Sequence, residues 1–168
     1  MNENKRILIL ILFCIVFSVN SICLAYPNEK NGFRDFYWGE SLQEVQANDE
    51  VYDLKYSGYD EETNSVFYVG KLTNPYISGQ EMDNIFFMFW NNKLCWIGIY
   101  FSNEKYINVL DSMKINFGYP KFKNNEYYWY GQQTDIVLCS LGGYYACIII
   151  NNPYLWNEAK RDGAIRGW

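Results

Sequence analysis

The chain has 168 residues, a formal net charge of −5 and no histidine, and aromatic residues make up 20% of it, including 16 tyrosines. That length allows one domain with a substantial core and is short for two. An acidic chain is a poor partner for a phosphate backbone, which argues against nucleic acid, and the missing histidine removes Ser-His-Asp and Cys-His mechanisms outright.

The first 25 residues read as a secretory signal peptide. Lys5 and Arg6 form the positive flank, and Ile7 to Val19 form an apolar core too short for the ~20 residues of a membrane span. Asn20 and Ser21 break the run before Cys23-Leu24-Ala25, whose small outer residues suit a signal peptidase. Cleavage is expected before Tyr26, with export to a periplasmic or extracellular location; an uncleaved N-terminal anchor is the alternative. Removing 25 of 168 residues leaves 143, with 12 basic and 18 acidic side chains, a net charge of −6.

One domain is expected over 26–152, followed by a tail, 153–168. Ser41-Leu42-Gln43-Glu44 has the form of a capping box, which predicts a short helix from Leu42 to about Asn48. Val51 to Tyr56 and Val66 to Leu72 are rich in β-branched and aromatic residues and predict two strands around the acidic turn Asp60 to Asn64. Asn84 to Trp90 and Lys93 to Phe101 predict a hairpin closed by Asn91-Asn92, because asparagine tolerates the positive φ of a two-residue turn. That register pairs Phe89 with Leu94, Phe87 with Trp96, Ile85 with Gly98, and Met88 with Cys95. Both faces of this hairpin are apolar, so one is expected under a helix and the other partly exposed or partnered.

Ser102-Asn103 is the expected cap of a second helix, in which Tyr106, Leu110, Met113 and Phe117 fall on one stripe. Gly118 and Pro120 end it. Strands are then predicted at Glu126 to Gly131, Asp135 to Leu141 and Tyr144 to Ile150, the last two joined by Gly142-Gly143. The tail is expected to form a short helix from Tyr154 to Arg161. The fold class is therefore α+β, an antiparallel sheet with two helices and a short C-terminal one. A shift of 51 residues lays Ile85, Phe87 and Asn91-Asn92 over Ile136, Leu138 and Gly142-Gly143, and a shift of 61 lays Phe67-Tyr68-Val69-Gly70 over Tyr128-Trp129-Tyr130-Gly131. Two αβ half-repeats would account for this, as would ordinary alternation of helix and strand.

The stretch from Phe33 to about Ala159 resembles a loose group of small secreted bacterial proteins of unknown function. The resemblance is carried by Phe33-Arg34, Trp38-Gly39, Asn91-Asn92-Lys93, Phe117-Gly118, Tyr127 to Gly131 and Thr134-Asp135-Ile136. It implies a secreted single domain and no particular activity.

Among candidate chemical groups, the aromatics Tyr127, Tyr128, Trp129, Tyr130, Trp90 and Trp96 are the expected binding residues, for stacking against a glycan or packing against an envelope protein. Tyrosine used as amphipathic sheet filler is the plainer alternative. Of Cys95, Cys139 and Cys147, a tight Gly142-Gly143 turn sends the last two to opposite faces, while the repeat puts Cys95 and Cys139 on one face. Cys95–Cys139 is thus the expected disulfide. No Cys-x-x-Cys spacing and no glycine-rich phosphate loop occurs, so no metal, cofactor or nucleotide is expected. The most direct reading is a non-catalytic binding module of the cell envelope. The alternatives are a carboxylate-pair hydrolase of extracellular polymer, using Asp83 or Glu126 with Asp135, and an inhibitor-like scaffold that presents its sheet to a single protein.

Overall fold

The order of strands follows from a series of short antiparallel connections. The computed structural model describes residues 25–166, without the side chain of Arg166, and the signal peptide expected over 1–25 lies outside the described residues except for Ala25. Two small strands, β1 (Gly32–Phe33) and β2 (Phe36–Tyr37), pair with each other and lead into helix α1 (Leu42–Gln46). The capping box forms as expected: the Ser41 side chain accepts from the Glu44 amide, and the Glu44 carboxylate accepts from the Ser41 amide at 2.7 Å. Strands β3 (Val51–Asp60) and β4 (Ser65–Leu72) follow, then a small hairpin of β5 (Tyr76–Ile77) and β6 (Gln80–Glu81), then β7 (Asn84–Trp90) and β8 (Lys93–Ser102).

A 3-10 turn, Asn103–Lys105, precedes helix α2 (Tyr106–Phe117). No side chain caps it, so the expected Ser102-Asn103 cap is replaced by the tighter turn. Gly118, at φ 76°, ends α2 as expected. Strands β9 (Lys121–Lys123), β10 (Glu126–Trp129), β11 (Asp135–Ser140) and β12 (Tyr145–Asn151) complete an eight-stranded antiparallel sheet in the order β3-β4-β7-β8-β12-β11-β10-β9. The fold is α+β.

The C-terminal segment departs from the expected tail. It forms helix α3 (Pro153–Arg166), with Pro153 in its first turn and the Asn152 side chain accepting from the Leu155 amide at 2.9 Å. Ala159 is fully buried, and Gly163 lies so close to the Glu62 carbonyl that a Cβ there would come within 2.0 Å of it. This helix packs on the turn between β3 and β4 and on Trp90.

Two registers differ from expectation by a single residue. In the β7–β8 hairpin Asn91 and Asn92 take φ 48° and 58°, and Phe89 does pair with Leu94. A bulge at Cys95 then places Met88 opposite Trp96, Phe87 opposite Ile97 and Ile85 opposite Ile99. The extra residue lets Leu94 and Ile97 face the same core despite their odd spacing, and Ile99 and Phe101 follow in phase. The β11–β12 turn uses three residues, 142–144, with the Leu141 amide bonded to the Tyr145 carbonyl at 3.0 Å. Cys139 therefore pairs with Cys147, on one face.

The main core lies on one side of the sheet. Ile85, Phe87, Phe89, Ile97, Ile99 and Phe101 are fully or almost fully buried there against Val109, Leu110 and Met113 of α2, Val45 of α1, and Phe36. The Phe36 and Phe87 rings meet edge-on at 4.9 Å. Burial of each such side chain contributes roughly 1.5–3 kcal/mol.

The opening of the domain acts as a clamp. Arg34 bonds the Glu50 carboxylate at 3.0 Å, the Asn74 carbonyl at 2.7 Å and the Tyr76 carbonyl at 2.8 Å, tying the lead-in to the β5–β6 hairpin. The Trp38 indole N–H donates to the Thr134 hydroxyl at 2.7 Å, and the Gly39 amide to the Leu94 carbonyl at 2.9 Å. These contacts join the two ends of the sheet, which gives the Phe33-Arg34 and Trp38-Gly39 pairs a structural role.

Candidate functional site: the open sheet face

Among the described residues, the face of the sheet turned away from α2 is covered at one end. There α3 crosses the strand ends, with the Trp90 indole N–H donating to the Asp162 carboxylate at 3.1 Å and the Asn64 amide donating to the same oxygen at 2.6 Å. Beyond α3, alternation along the strands brings Val69, Phe86, Trp96, Tyr100, Val137 and Ile149 to this face, each half-buried. The Phe86 and Tyr100 rings lie 4.9 Å apart, and Phe67 meets Trp96 edge-on at 5.8 Å. Gly98 makes the arrangement possible, because a Cβ there would come within 2.3 Å of the Trp96 ring that lies over it.

The expected aromatic binding residues do not form a single site. Trp96, Tyr128 and Tyr130 belong to the open side, whereas Trp90 lies under α3. Trp129 faces the core, almost fully buried, with its indole N–H donating to the Gly118 carbonyl at 2.8 Å. Tyr127 also turns to the core side, packed between Phe122 at 4.8 Å and Tyr106 at 6.4 Å. The period of two along β10 divides the run Tyr127 to Tyr130 between the two faces. Tyr128 and Tyr130 stack with ring centroids 5.6 Å apart and planes 9° from parallel, and the Lys121 ammonium sits 5.3 Å from the Tyr130 centroid. Tyr128 donates to the Glu126 carboxylate, which pushes its phenol up to about 12.

Phe86 and Ile149 were not among the expected surface residues. The sequence signal for Phe86 was the two apolar faces of the β7–β8 hairpin, which left open which face α2 would cover. Lysines mark the two margins of this face: Lys55 and Lys71 on β3 and β4, and Lys121 and Lys123 on β9, all exposed. Lys55 pairs with Asp53 at 2.7 Å.

The three thiols are free, and the expected Cys95–Cys139 disulfide is not formed. Cys139 is level with Cys147 and, through it, with Tyr100, far along β8 from Cys95. Cys95 instead donates to the Met88 carbonyl at 3.4 Å, and burial pushes its thiol up to about 12. Contact with the Cys147 thiol lowers the Cys139 value, and the same contact together with burial raises that of Cys147.

The carboxylates do not make a hydrolytic pair. Asp83 precedes β7 at the end of the sheet marked by Tyr100, while Asp135 begins β11 level with Asn151 and Trp96. At ~4.8 Å between strands and ~3.3 Å per residue, the two stand roughly 20 Å apart, and Glu126 stands roughly 14 Å from Asp135. Glycosidases need about 5 to 10 Å. Asp135 accepts from the Gly131 amide at 2.9 Å, a turn-capping role, and burial followed by the nearby Glu29 charge raises its carboxyl above the ordinary range. Among the described residues, no group of three or more Cys, Asp or Glu side chains could hold a metal ion, and no helix is long and apolar enough to cross a membrane.

The arrangement offers an apolar surface with cationic margins and a tyrosine stack at one edge. A search of family models, curated proteins and solved structures finds no match to this chain.

Proposed function

We propose that this protein is an exported, non-catalytic interaction module of the cell envelope, which holds a protein partner against the part of the sheet face that α3 leaves open. The observation that carries the reading is the contiguous half-buried surface of Val69, Phe86, Trp96, Tyr100, Val137 and Ile149 beside α3. A surface of this kind is costly to leave in water and marks interaction sites. The chain is acidic overall, yet Lys55, Lys71, Lys121 and Lys123 stand at the two margins of this face. A partner with an apolar centre and an acidic rim would complement it. Export rests on the segment from Lys5 to Ala25, and cleavage before Tyr26 would make a core residue the first of the mature chain.

The same reading includes an origin by duplication. The sheet order reads as two four-stranded meanders, β3-β4-β7-β8 and β12-β11-β10-β9, joined by their last strands, and a helix precedes each. Ile97 and Ile99 would correspond to Ile148 and Ile150, and Phe67 to Tyr128, in keeping with the faces they occupy.

The test is the mass of the complex that the tagged protein forms in its native envelope. Wild type is expected to elute with one protein at fixed stoichiometry, and Phe86→Asp, with unchanged circular dichroism, is expected to elute alone. A second reading, glycan binding at the stacked Tyr128 and Tyr130 with Lys121, rests on that parallel ring pair. It predicts that Tyr130→Ala abolishes retention on envelope glycan and leaves any protein complex intact.

A further inference from the structure

The opposite, covered side of the sheet holds an unfilled space. A cavity of about 440 Å³ lies between the sheet, α2, the lead-in segment and the β5–β6 hairpin. Its walls are mainly aliphatic, with Ile99, Met113, Ile136, Ile148 and Ile150 among them. Asn28, Lys30, Ser78 and Asn116, all lining it, are exposed to solvent. A cavity of this size and lining is typical of small-molecule sites, which place a few polar groups in an apolar wall.

Tyr26 supplies such a group. It lines the cavity, is 9% exposed, and its hydroxyl has no hydrogen-bond partner among the described residues. A buried hydroxyl without a partner is uncommon in a folded protein. The neighbouring carboxylates do not serve it. Glu29 accepts from the Thr134 amide at 2.9 Å and from the Gln133 amide, and Asp135 accepts from the Gly131 amide. These two carboxylates, with burial ahead of both, raise the Tyr26 phenol, so it stays protonated and available as a donor. They would also repel an anionic head group placed at this buried hydroxyl, whereas the ammonium of Lys30, which lines the cavity too, is exposed and so screened by solvent.

We infer that this cavity binds one neutral, largely aliphatic molecule, such as a long-chain alcohol or ester, whose oxygen accepts the Tyr26 hydroxyl proton in a hydrogen bond. The site lies across the sheet from the proposed docking face, so the two stand or fall separately.

Methyl NMR of the purified protein during titration with 1-decanol tests the inference. Ile148, Ile150 and Met113 methyl signals are expected to shift to saturation. The Ile149 signal, from the other face of the same strand, is expected to stay in place. Tyr26→Phe, which keeps the ring and the packing, should weaken decanol binding about fivefold, the worth of one ordinary hydrogen bond. Decanoate should bind at least tenfold more weakly than decanol, because of the two carboxylates. The inference is overturned if no cavity methyl moves, if Ile149 responds in place of Ile148, or if Tyr26→Phe or decanoate binds as well as the reference pair.

Discussion

Cys139 and Cys147 face one another across the β11–β12 ladder, with the Cys139 sulfur 3.7 Å from the Cys147 carbonyl. Directly opposed residues of an antiparallel pair have Cα atoms ~4.5 to 5.5 Å apart, within the ~4.4 to 6.8 Å that a disulfide spans. Oxidised glutathione should therefore close Cys139 to Cys147 by two exchange steps, releasing two reduced glutathiones as the two thiols give up two protons and two electrons. Peptide mapping after alkylation is expected to find that bond and an alkylated Cys95. Alkylation of Cys95, Cys139 and Cys147 alike after prolonged oxidation, or a bond to Cys95, would show that the ladder does not hold the sulfurs as described.

Gly163 in α3 sets two effects against each other. Alanine in a helix interior is favoured over glycine by roughly 0.5–1 kcal/mol. A Cβ at this position would, however, lie 2.0 Å from the Glu62 carbonyl oxygen, and backbone moves far less readily than a side-chain tip. Overpacking of this sort costs about 1–3 kcal/mol. Gly163→Ala should lower stability by ~1–2 kcal/mol, measured as the urea midpoint. A higher midpoint would mean that α3 does not dock on the β3–β4 turn.

The capping box at Ser41, the two-asparagine turn and the glycine end of α2 were all legible in the sequence because each is a local device. The bulge at Cys95 and the three-residue turn at 142–144 were not. Met88, Cys95 and Trp96 on one hairpin, and Leu138, Cys139 and Cys147 on the other, are apolar on both faces, so a slip of one residue leaves the hydrophobic pattern intact. For the same reason the open face could be foreseen as one of two, while its membership could not. Arg34 reaching Asn74 and Tyr76, and Tyr26 reaching the cavity, depend on contacts distant in sequence, for which a single chain gives no signal.

Asp135 gives a pH dependence with a defined sign. Burial, with the Glu29 charge adding to it and the Gly131 amide opposing, raises its carboxyl above the ordinary value. A carboxyl raised by folding holds its proton more tightly in the folded state, so its ionised form costs stability at neutral pH. That cost fades as pH falls through the raised folded value and is gone below the ordinary ~3.9. Asp135→Asn keeps an acceptor for the Gly131 amide and removes the charge. It should raise the urea midpoint at pH 7, with a gain that shrinks as the solution is acidified. An unchanged or lower midpoint at pH 7 would mean that the charge stabilises the 131–135 turn.

Docking of a protein partner on the sheet face beyond α3 is checked by site-specific photocrosslinking in the native envelope. A benzophenone side chain placed at Phe86 or at Tyr100 samples the open face, and one at Ile107 or at Ile115 samples the exposed side of α2. The account predicts one discrete protein adduct from the first two positions and none from the other two. Equal adducts from all four positions, or none from Phe86 and Tyr100, would contradict it.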